Sequence, residues 1–468
     1  MSLSITFLGA AQNVTGSSYL VEAGADKVLV DCGLYQERDF RARNWVPFPA
    51  LPASLKAVLL THAHLDHCGL LPKLVCEGFQ GPIYCTPATA DLAKIVLLDS
   101  AKIQEEDAAT KARRHEQEGR QGPHPDVPLY TARDAEAVLP HLTPVAYGVP
   151  VPVAPGIQAT FSEAGHILGS AMISLALSDA SVTRSLLFTG DLGRHHLPIL
   201  RDPALCHAAD YVVMESTYGD RVHGDMEAIP TALMRIVRET RKAGGKLVIP
   251  AFAIERTQEL IYHLNGLFRA KKIQREPVFV DSPMAIRVTE VFSRHPELFD
   301  EETRALMGQG AAPYACPGMQ VTASVEDSKA INRVHGPAII IAGSGMCNAG
   351  RIKHHLAKTI SEPENTILFV GYQSPGTLGR EILDGAREVR IFGQWHPVRA
   401  RVERLTGFSA HADRDELLTW LQAFNQSPRS IFVTHGEAAT ARSFAAFVHE
   451  KTGWTASAPA YHQRELLT

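Results

Sequence analysis

The stretch Thr61-His62-Ala63-His64-Leu65-Asp66-His67 places three histidines and an aspartate within six positions. It follows an apolar run, Ala57-Val58-Leu59-Leu60, which predicts a buried strand ending at the cluster. A strand end is rigid, and a turn beyond it can aim several side chains at one point. Neutral imidazoles and carboxylates are ligands that suit zinc. On an extended backbone His62 and His64 point the same way, so Asp66 and His67 would come from the turn and serve a second ion. Three more candidate ligands close later strands: His166, Asp191 and His435. The set then divides. His62, His64 and His166 hold the first ion, Asp66, His67 and His435 hold the second, and Asp191 bridges both. Two zinc ions against two carboxylates and a hydroxide leave a positive inner shell, suited to an anionic phosphodiester. Ions paired at about 3.5–4 Å can hold a hydroxide for in-line attack and stabilise charge developing on phosphorus. Asp31, which ends Val28-Leu29-Val30-Asp31, is a candidate partner for the remaining N–H of a ligand histidine. It could equally be a turn-former before Gly33. Cys68 could be a ligand or a small apolar residue opening the next helix.

These residues need elements to aim them. Apolar or alternating runs bounded by Gly, Asn and Asp predict strands over 5–9, 18–23, 27–31, 57–61 and 81–86. A long helical pattern starts at Thr89 and turns polar beyond Gln104; Gly and Pro at 119–128 break it, as a flap or as a plain surface connection. Strands return over 157–161, 172–177, 185–189 and 211–214, each delivering polar residues at its end. Beyond 220 the rhythm changes. Helices over 227–243 and from 255 alternate with strands over 246–249 and 278–281, and strands over 338–342 and 366–372 follow. Such alternation implies a parallel sheet covered on both faces. From about 396 the first rhythm returns, with His411 and His435 at strand-like ends. The economical division is 1–219 and 396–468 as one domain, with 220–395 inserted into it.

Composition narrows the class. A chain of 468 residues predicts two domains. Its 45% apolar and 21% charged residues are those of a soluble globular enzyme. With a net charge of −4, nucleic-acid binding cannot be argued from charge alone. The insert is locally basic at Arg235, Arg238, Arg241, Lys242, Lys271, Lys272 and Arg275. Seven cysteines, with no CxxC pair, point to a reducing compartment, and the cytoplasm is the expected location. No leader precedes the first strand, and no run approaches the ~20 apolar residues of a membrane helix.

HxHxDH, then a His, then an Asp, each at a strand end, resemble the metallo-β-lactamase superfamily over residues 1–219 and 396–468. That resemblance implies an α/β fold, a four-layer αββα sandwich with metals at one edge. The fold does not choose a substrate: lactonases, glyoxalases and nucleases share it. Glu215-Ser216-Thr217-Tyr218-Gly219, then a βα insert, then His411 and His435, resemble the β-CASP branch of nucleic-acid nucleases. The match extends to Ser344-Gly345-Met346, Gly371-Tyr372-Gln373 and Gly376-Thr377-Leu378-Gly379. It is similar to the RNA-cleaving subfamily related to the eukaryotic pre-mRNA 3′-end endonuclease.

The resemblance implies two Zn2+ per chain, single-stranded RNA as partner, and products with a 5′-phosphate and a 3′-hydroxyl. It places Asp66, Glu215 and His411 in the catalytic group. His411 would protonate the leaving 3′-oxygen while Glu215 holds its tautomer. The insert would form the other wall of an RNA cleft, with Ser344, Gly345, Ser374 and Thr377 at carboxyl ends of its strands and Arg256 nearby as candidate phosphate contacts. The glycines could instead serve only as turns. A homodimer is compatible with all of this. Two rivals stand beside the ribonuclease. A small-molecule hydrolase, of thioesterase or lactonase type, shares the metals but needs neither insert nor His411. A non-catalytic RNA-binding subunit would show a degraded ligand set, whereas every expected ligand is present. Endonuclease and 5′-exonuclease action both stay open.

Overall fold

A computed structural model describes residues 3–468 apart from 120, 123, 180–181, 225–227, 311 and 374–375. The chain divides into two compact units. The first comprises Met1–Leu197, Arg201–Val222 and His411–Thr468; the second comprises Pro198–Leu200 and His223–Ala410.

The first unit is built on two seven-stranded sheets. One runs in the order Arg464–Leu466, Leu3–Phe7, Tyr19–Ala23, Asp26–Val30, Ala57–Leu59, Ile83–Cys85, Leu142–Pro144. The other runs Ala456–Ser457, Ser430–Thr434, Tyr211–Glu215, Thr183–Phe188, Ala171–Ser178, Ile157–Glu163, Val151–Ala154. Period-two alternation gives each sheet an apolar inner face. Ile5, Phe7, Val21, Val30 and Leu59 of the first meet Phe161, Ile173, Leu175, Phe188 and Phe432 of the second in one core. Helices Arg414–Leu421 and Ala438–Thr452 cover the second sheet with Trp420, Phe444 and Val448 against Val212, Met214 and Val433. Helix Ala132–Val138 packs on helices Leu71–Cys76 and Pro87–Glu118, and Pro87–Glu118 packs on the far strand of the first sheet. This is the αββα sandwich expected. The long helix starts where Thr86 accepts a hydrogen bond from the Thr89 N–H, and it stops at Gly119 in the left-handed region.

Parallel pairing puts several strand ends at one edge. Asp26–Val30 runs parallel to Ala57–Leu59, and Thr183–Phe188, Tyr211–Glu215 and Ser430–Thr434 run parallel to one another. Asp31, His62, Asp191, Glu215 and His435 therefore all emerge from carboxyl ends of parallel strands.

The second unit holds a six-stranded sheet in the order Met319–Val321, Val278–Asp281, Ala338–Ala342, Lys246–Pro250, Thr366–Phe369, Arg401–Arg404, parallel throughout. Its central strands are apolar end to end because both faces are covered, as in Ala338-Ile339-Ile340-Ile341-Ala342. Leu233, Ile236, Leu260 and Leu264 from helices Ala228–Lys242 and Arg256–Arg269 seal one face; Ile352, Leu356 and Ile382 help seal the other. Two features escape the sequence pattern. A hairpin, Glu388–Ile391 with Gln394–Pro397, precedes the last strand. That strand, Arg-Val-Glu-Arg, is a charged sheet edge, so this unit runs on past the change of rhythm near 396. Among the described residues no helix is long and apolar enough to cross a membrane. All seven cysteines are free thiols.

Candidate metal centre

The strand Ala57–Leu59 leads into His62, and the residues beyond it form a one-turn helix, Leu65–Cys68, rather than an open turn. His64 is the extended residue that precedes this helix. The His62 and His67 rings stand 4.0 Å apart, yet their donor atoms fall into different clusters, His62 with His64 and His67 with Asp66. Two non-glycine residues at the site adopt left-handed backbone, Asp31 at φ 58° and His435 at φ 50°. Such strain persists only where neighbours over-determine it. The Asp31 carboxylate accepts the Thr61 N–H and the Thr61 hydroxyl, each at 2.8 Å, and the His435 N–H donates to the Ala10 carbonyl at 2.8 Å.

In the first cluster His64 Nδ1 lies 3.1 Å from His62 Nε2 and 3.3 Å from His166 Nε2. Asp191 Oδ2 lies 3.4 Å from His62 Nε2 and 3.5 Å from His166 Nε2. In the second, His67 Nε2 lies 3.2 Å from His435 Nε2 and 3.3 Å from Asp191 Oδ1, and His435 Nε2 lies 3.5 Å from Asp66 Oδ2. Four ligands at about 2.0–2.1 Å around a tetrahedral zinc stand about 3.3–3.4 Å from one another. Both clusters match that edge length, and Asp191 gives one oxygen to each. The residues fit a pair of cations on a second count: Asp191 is 2% exposed, yet its Oδ1 has no hydrogen-bond donor. A buried carboxylate oxygen without a donor is costly unless a cation faces it.

The surrounding groups fix the imidazoles. Asp31 Oδ2 sits 2.8 Å from His67 Nδ1, and the Thr61 hydroxyl 3.1 Å from His62 Nδ1. The Thr217 hydroxyl sits 3.0 Å from His435 Nδ1. Each contact holds the proton on Nδ1 and leaves the Nε2 lone pair facing its cluster. Thr217 was not singled out from sequence; its place two residues after Glu215 was the available signal. Burial pushes His62 down to about 3 and His64 down to about 4. Both are neutral imidazoles in neutral solution, as ligation requires.

His411 and Glu215 form a pair beside these clusters. Glu215, 1% exposed, accepts the Leu192 N–H at 2.7 Å and approaches His411 Nδ1 at 3.0 Å. The His411 ring stands 4.4 Å from that of His166, centroid to centroid, and its side chain remains 20% exposed. Burial presses this imidazole towards its neutral form. The Glu215 charge and hydrogen bond, with Asp191 and Asp66 behind them, outweigh burial and lift it to about 9. The pair therefore favours imidazolium, with Nε2 left as the donor.

The candidate phosphate contacts lie in the second unit. Ser344 closes its own loop against Ala349, with its Oγ 3.3 Å from that residue's carbonyl. Thr377 caps helix Leu378–Leu383 by accepting the Arg380 N–H. Arg256 is 7% exposed and ion-paired to Glu259. Ser374 lies outside the described residues. Arg235 pairs with Glu239 and Glu403, and Arg241 with Glu276, so two of the seven basic residues noted in the sequence are matched locally.

The chain matches the metallo-beta-lactamase superfamily over residues 12–242, the Beta-Casp domain over 257–382 and the Zn-dependent metallo-hydrolase RNA specificity domain over 395–459. It is 42% identical to ribonuclease TTHA0252 of Thermus thermophilus, over 93% of each chain. It is 32% identical to transcription termination factor FttA of Methanocaldococcus jannaschii, over 95% of this chain and 68% of that one. A crystal structure of a protein of unknown function from Enterococcus faecalis V583 shares the fold, with a TM-score of 0.52 at 12% identity and full coverage of both chains.

Proposed function

Because the chain belongs to the Beta-Casp ribonuclease family of the metallo-beta-lactamase superfamily, we propose that it is a two-zinc ribonuclease whose products carry a 5′-phosphate and a 3′-hydroxyl. It is a metal-dependent hydrolase that acts on RNA. The observation that carries the finer reading is the pair of donor clusters sharing Asp191, with His411 and Glu215 beside them. His62, His64, His166, Asp66, His67, His435 and Asp191 would hold two zinc ions, which would supply Lewis-acid activation of water at neutral pH and positive charge for the phosphate oxygens.

The chain's own residues do the rest. Glu215 accepts the His411 Nδ1–H and keeps the ring protonated and oriented. His411 Nε2–H then delivers its proton to the departing 3′-oxygen, and the Glu215 carboxylate offsets the charge of the imidazolium until that transfer. Asp31, Thr61 and Thr217 hold the ligand imidazoles in their tautomers. Endonucleolytic cleavage and 5′-exonucleolytic degradation are both open to such a centre, and a circular RNA tells them apart. The free thiols support a reducing compartment as its place of action.

One experiment separates these claims. The purified chain is assayed for metal and incubated with a circular RNA and a 5′-labelled linear RNA, beside His411→Ala. The reading requires two zinc ions per chain, a cut circle and new 5′-phosphate ends. His411→Ala should keep its zinc and lose about 10²–10⁴ in kcat. Hydrolysis of a thioester panel with RNA left intact would replace the ribonuclease with the small-molecule hydrolase.

A further inference from the structure

We propose that Phe252 is a platform on which an unpaired base of the RNA stacks. The proposal rests on the ribonuclease reading and adds a recognition site within the second unit. Phe252 follows strand Lys246–Pro250, which lies between Ala338–Ala342 and Thr366–Phe369. The three are parallel, so the loops after them share the edge where parallel sheets bind ligands. At that edge Phe252 is 38% exposed, whereas the preceding Ala251 is 2% exposed.

The ring is seated, not loose. A Cβ on Gly345 would stand 2.7 Å from ring atoms Cδ2 and Cε2, and one on Gly371 would stand 3.2 Å from Cε2. Both neighbouring loops thus lay bare backbone against the ring, and any side chain at Gly345 would displace it. Gln373 Nε2 donates to the Gly345 carbonyl at 2.9 Å and to the Gly371 carbonyl at 3.3 Å, tying the two supports together. On the other side the Thr257 hydroxyl and N–H donate to the Phe252 carbonyl, at 2.8 and 3.2 Å. The loop then passes through a strained three-residue turn at Glu255, φ 64° and ψ −54°, closed by the Arg256 N–H on the Ile254 carbonyl at 2.8 Å. Backbone strain of this kind concentrates at functional sites.

The ring's isolation selects its occupant. Phe252 is the only exposed large apolar side chain among the described residues of these three loops. A docked protein needs a contiguous apolar patch; a nucleobase needs one flat ring, and the loop that backs this ring carries Ser344 directly before Gly345. Charge points the same way. The second unit carries 24 Lys and Arg against 20 Asp and Glu, a net +4 within a chain of net −4.

The test uses single-stranded RNA with phosphorothioate linkages, to slow cleavage, and 2-aminopurine stepped along the strand. Wild type should quench the fluorescence at one position. Phe252→Leu should lose that quenching and bind about tenfold more weakly, while Phe252→Tyr keeps both. Removing the base at the quenched position should weaken wild type to the same extent and leave Phe252→Leu unaffected. Equal binding by wild type and Phe252→Leu, or equal losses on intact and abasic RNA, would overturn the platform. If Phe252→Leu fails to fold, seen by melting and zinc content, the abasic comparison on wild type still decides: undiminished binding of abasic RNA rejects the platform. A wild type that neither binds nor cuts RNA would instead remove the ribonuclease reading itself.

Discussion

Asp191 gives Oδ2 to one donor cluster and Oδ1 to the other, so a change that keeps its shape but removes a charge tests the pair directly. Asp191→Asn is expected to fall below two zinc ions per chain by elemental analysis, with cleavage lost in proportion. Asp31→Asn leaves all seven ligands in place and removes only the carboxylate at His67 Nδ1. Its expected cost is 10- to 100-fold in zinc affinity by competition with a chelator. His411 gives a pH test. The acid works protonated, so activity holds below its pKa and falls as pH rises through it. Glu215 lifts that value to about 9 from 6.5, and nearby zinc lowers it again. The alkaline limb of kcat should therefore lie between those two values. In Glu215→Gln it should move to lower pH, with zinc content retained. The ligands were legible in the sequence because His and Asp cluster at strand ends with few other uses there. The 3.0 Å contact of Glu215 with His411 spans 196 positions and came from family resemblance; spacing could not give it. Thr217 was hidden because a threonine in a loop has many ordinary roles.

Two loops must register for His166 and Asp191 to meet, and their contact is bare backbone. A Cβ on Gly193 would stand 1.9 Å from the Gly165 carbonyl oxygen and 2.8 Å from the His166 nitrogen. Gly193→Ala should push the loops apart, lowering the Tm and the zinc content together, at a cost of about 1–3 kcal/mol. Glu163 ends the strand that leads to His166, and its Oε1 accepts the Gly165 N–H at 2.9 Å. Burial pushes this carboxyl up from 4.5 to about 7, against the Gly165 hydrogen bond and the Arg201 charge. The unfolded chain ionises near 4.5, so the folded state loses stability as pH rises from there to about 7 and no more beyond. Glu163→Gln keeps an acceptor for Gly165 and removes the ionisation. Its Tm should exceed that of wild type at pH 8, by on the order of 2 kcal/mol in stability, and the gap should close towards pH 4.5. Element boundaries were legible wherever period and turn residues agreed, as at Thr86 and Gly119. They failed at Leu65–Cys68, where one helical turn is too short to show a period, and at Arg401–Arg404, where a sheet edge carries charge.

Among the described residues the donor clusters lie in the first unit, so metal removal should act on that unit. Calorimetry is expected to show two transitions, and chelation should lower one by on the order of 5 °C while leaving the other in place. The alternation beyond residue 220 announced a parallel sheet, because buried parallel strands are apolar throughout and their crossovers are helical. The hairpin at 388–397 stayed hidden inside it: Val389 and Ile391 do alternate towards the core, but over only four residues, and the turn and second strand expose Phe392 and Trp395. The connectivity of the first unit has a consequence in time. Strand Ser430–Thr434 completes its sheet beside Tyr211–Glu215, and Arg464–Leu466 closes on Leu3–Phe7. Six of the seven candidate ligands precede residue 192, while His435 follows the whole second unit. At about 5–20 residues per second, a translating ribosome needs on the order of 10–40 s between Glu215 and His435. Throughout that interval the nascent chain, tethered to its own messenger, holds one metal cluster short of a ligand and has no His411 until near the end. If cleavage needs His435, a chain laid out in this order completes its nuclease site only after its reading frame has passed that residue.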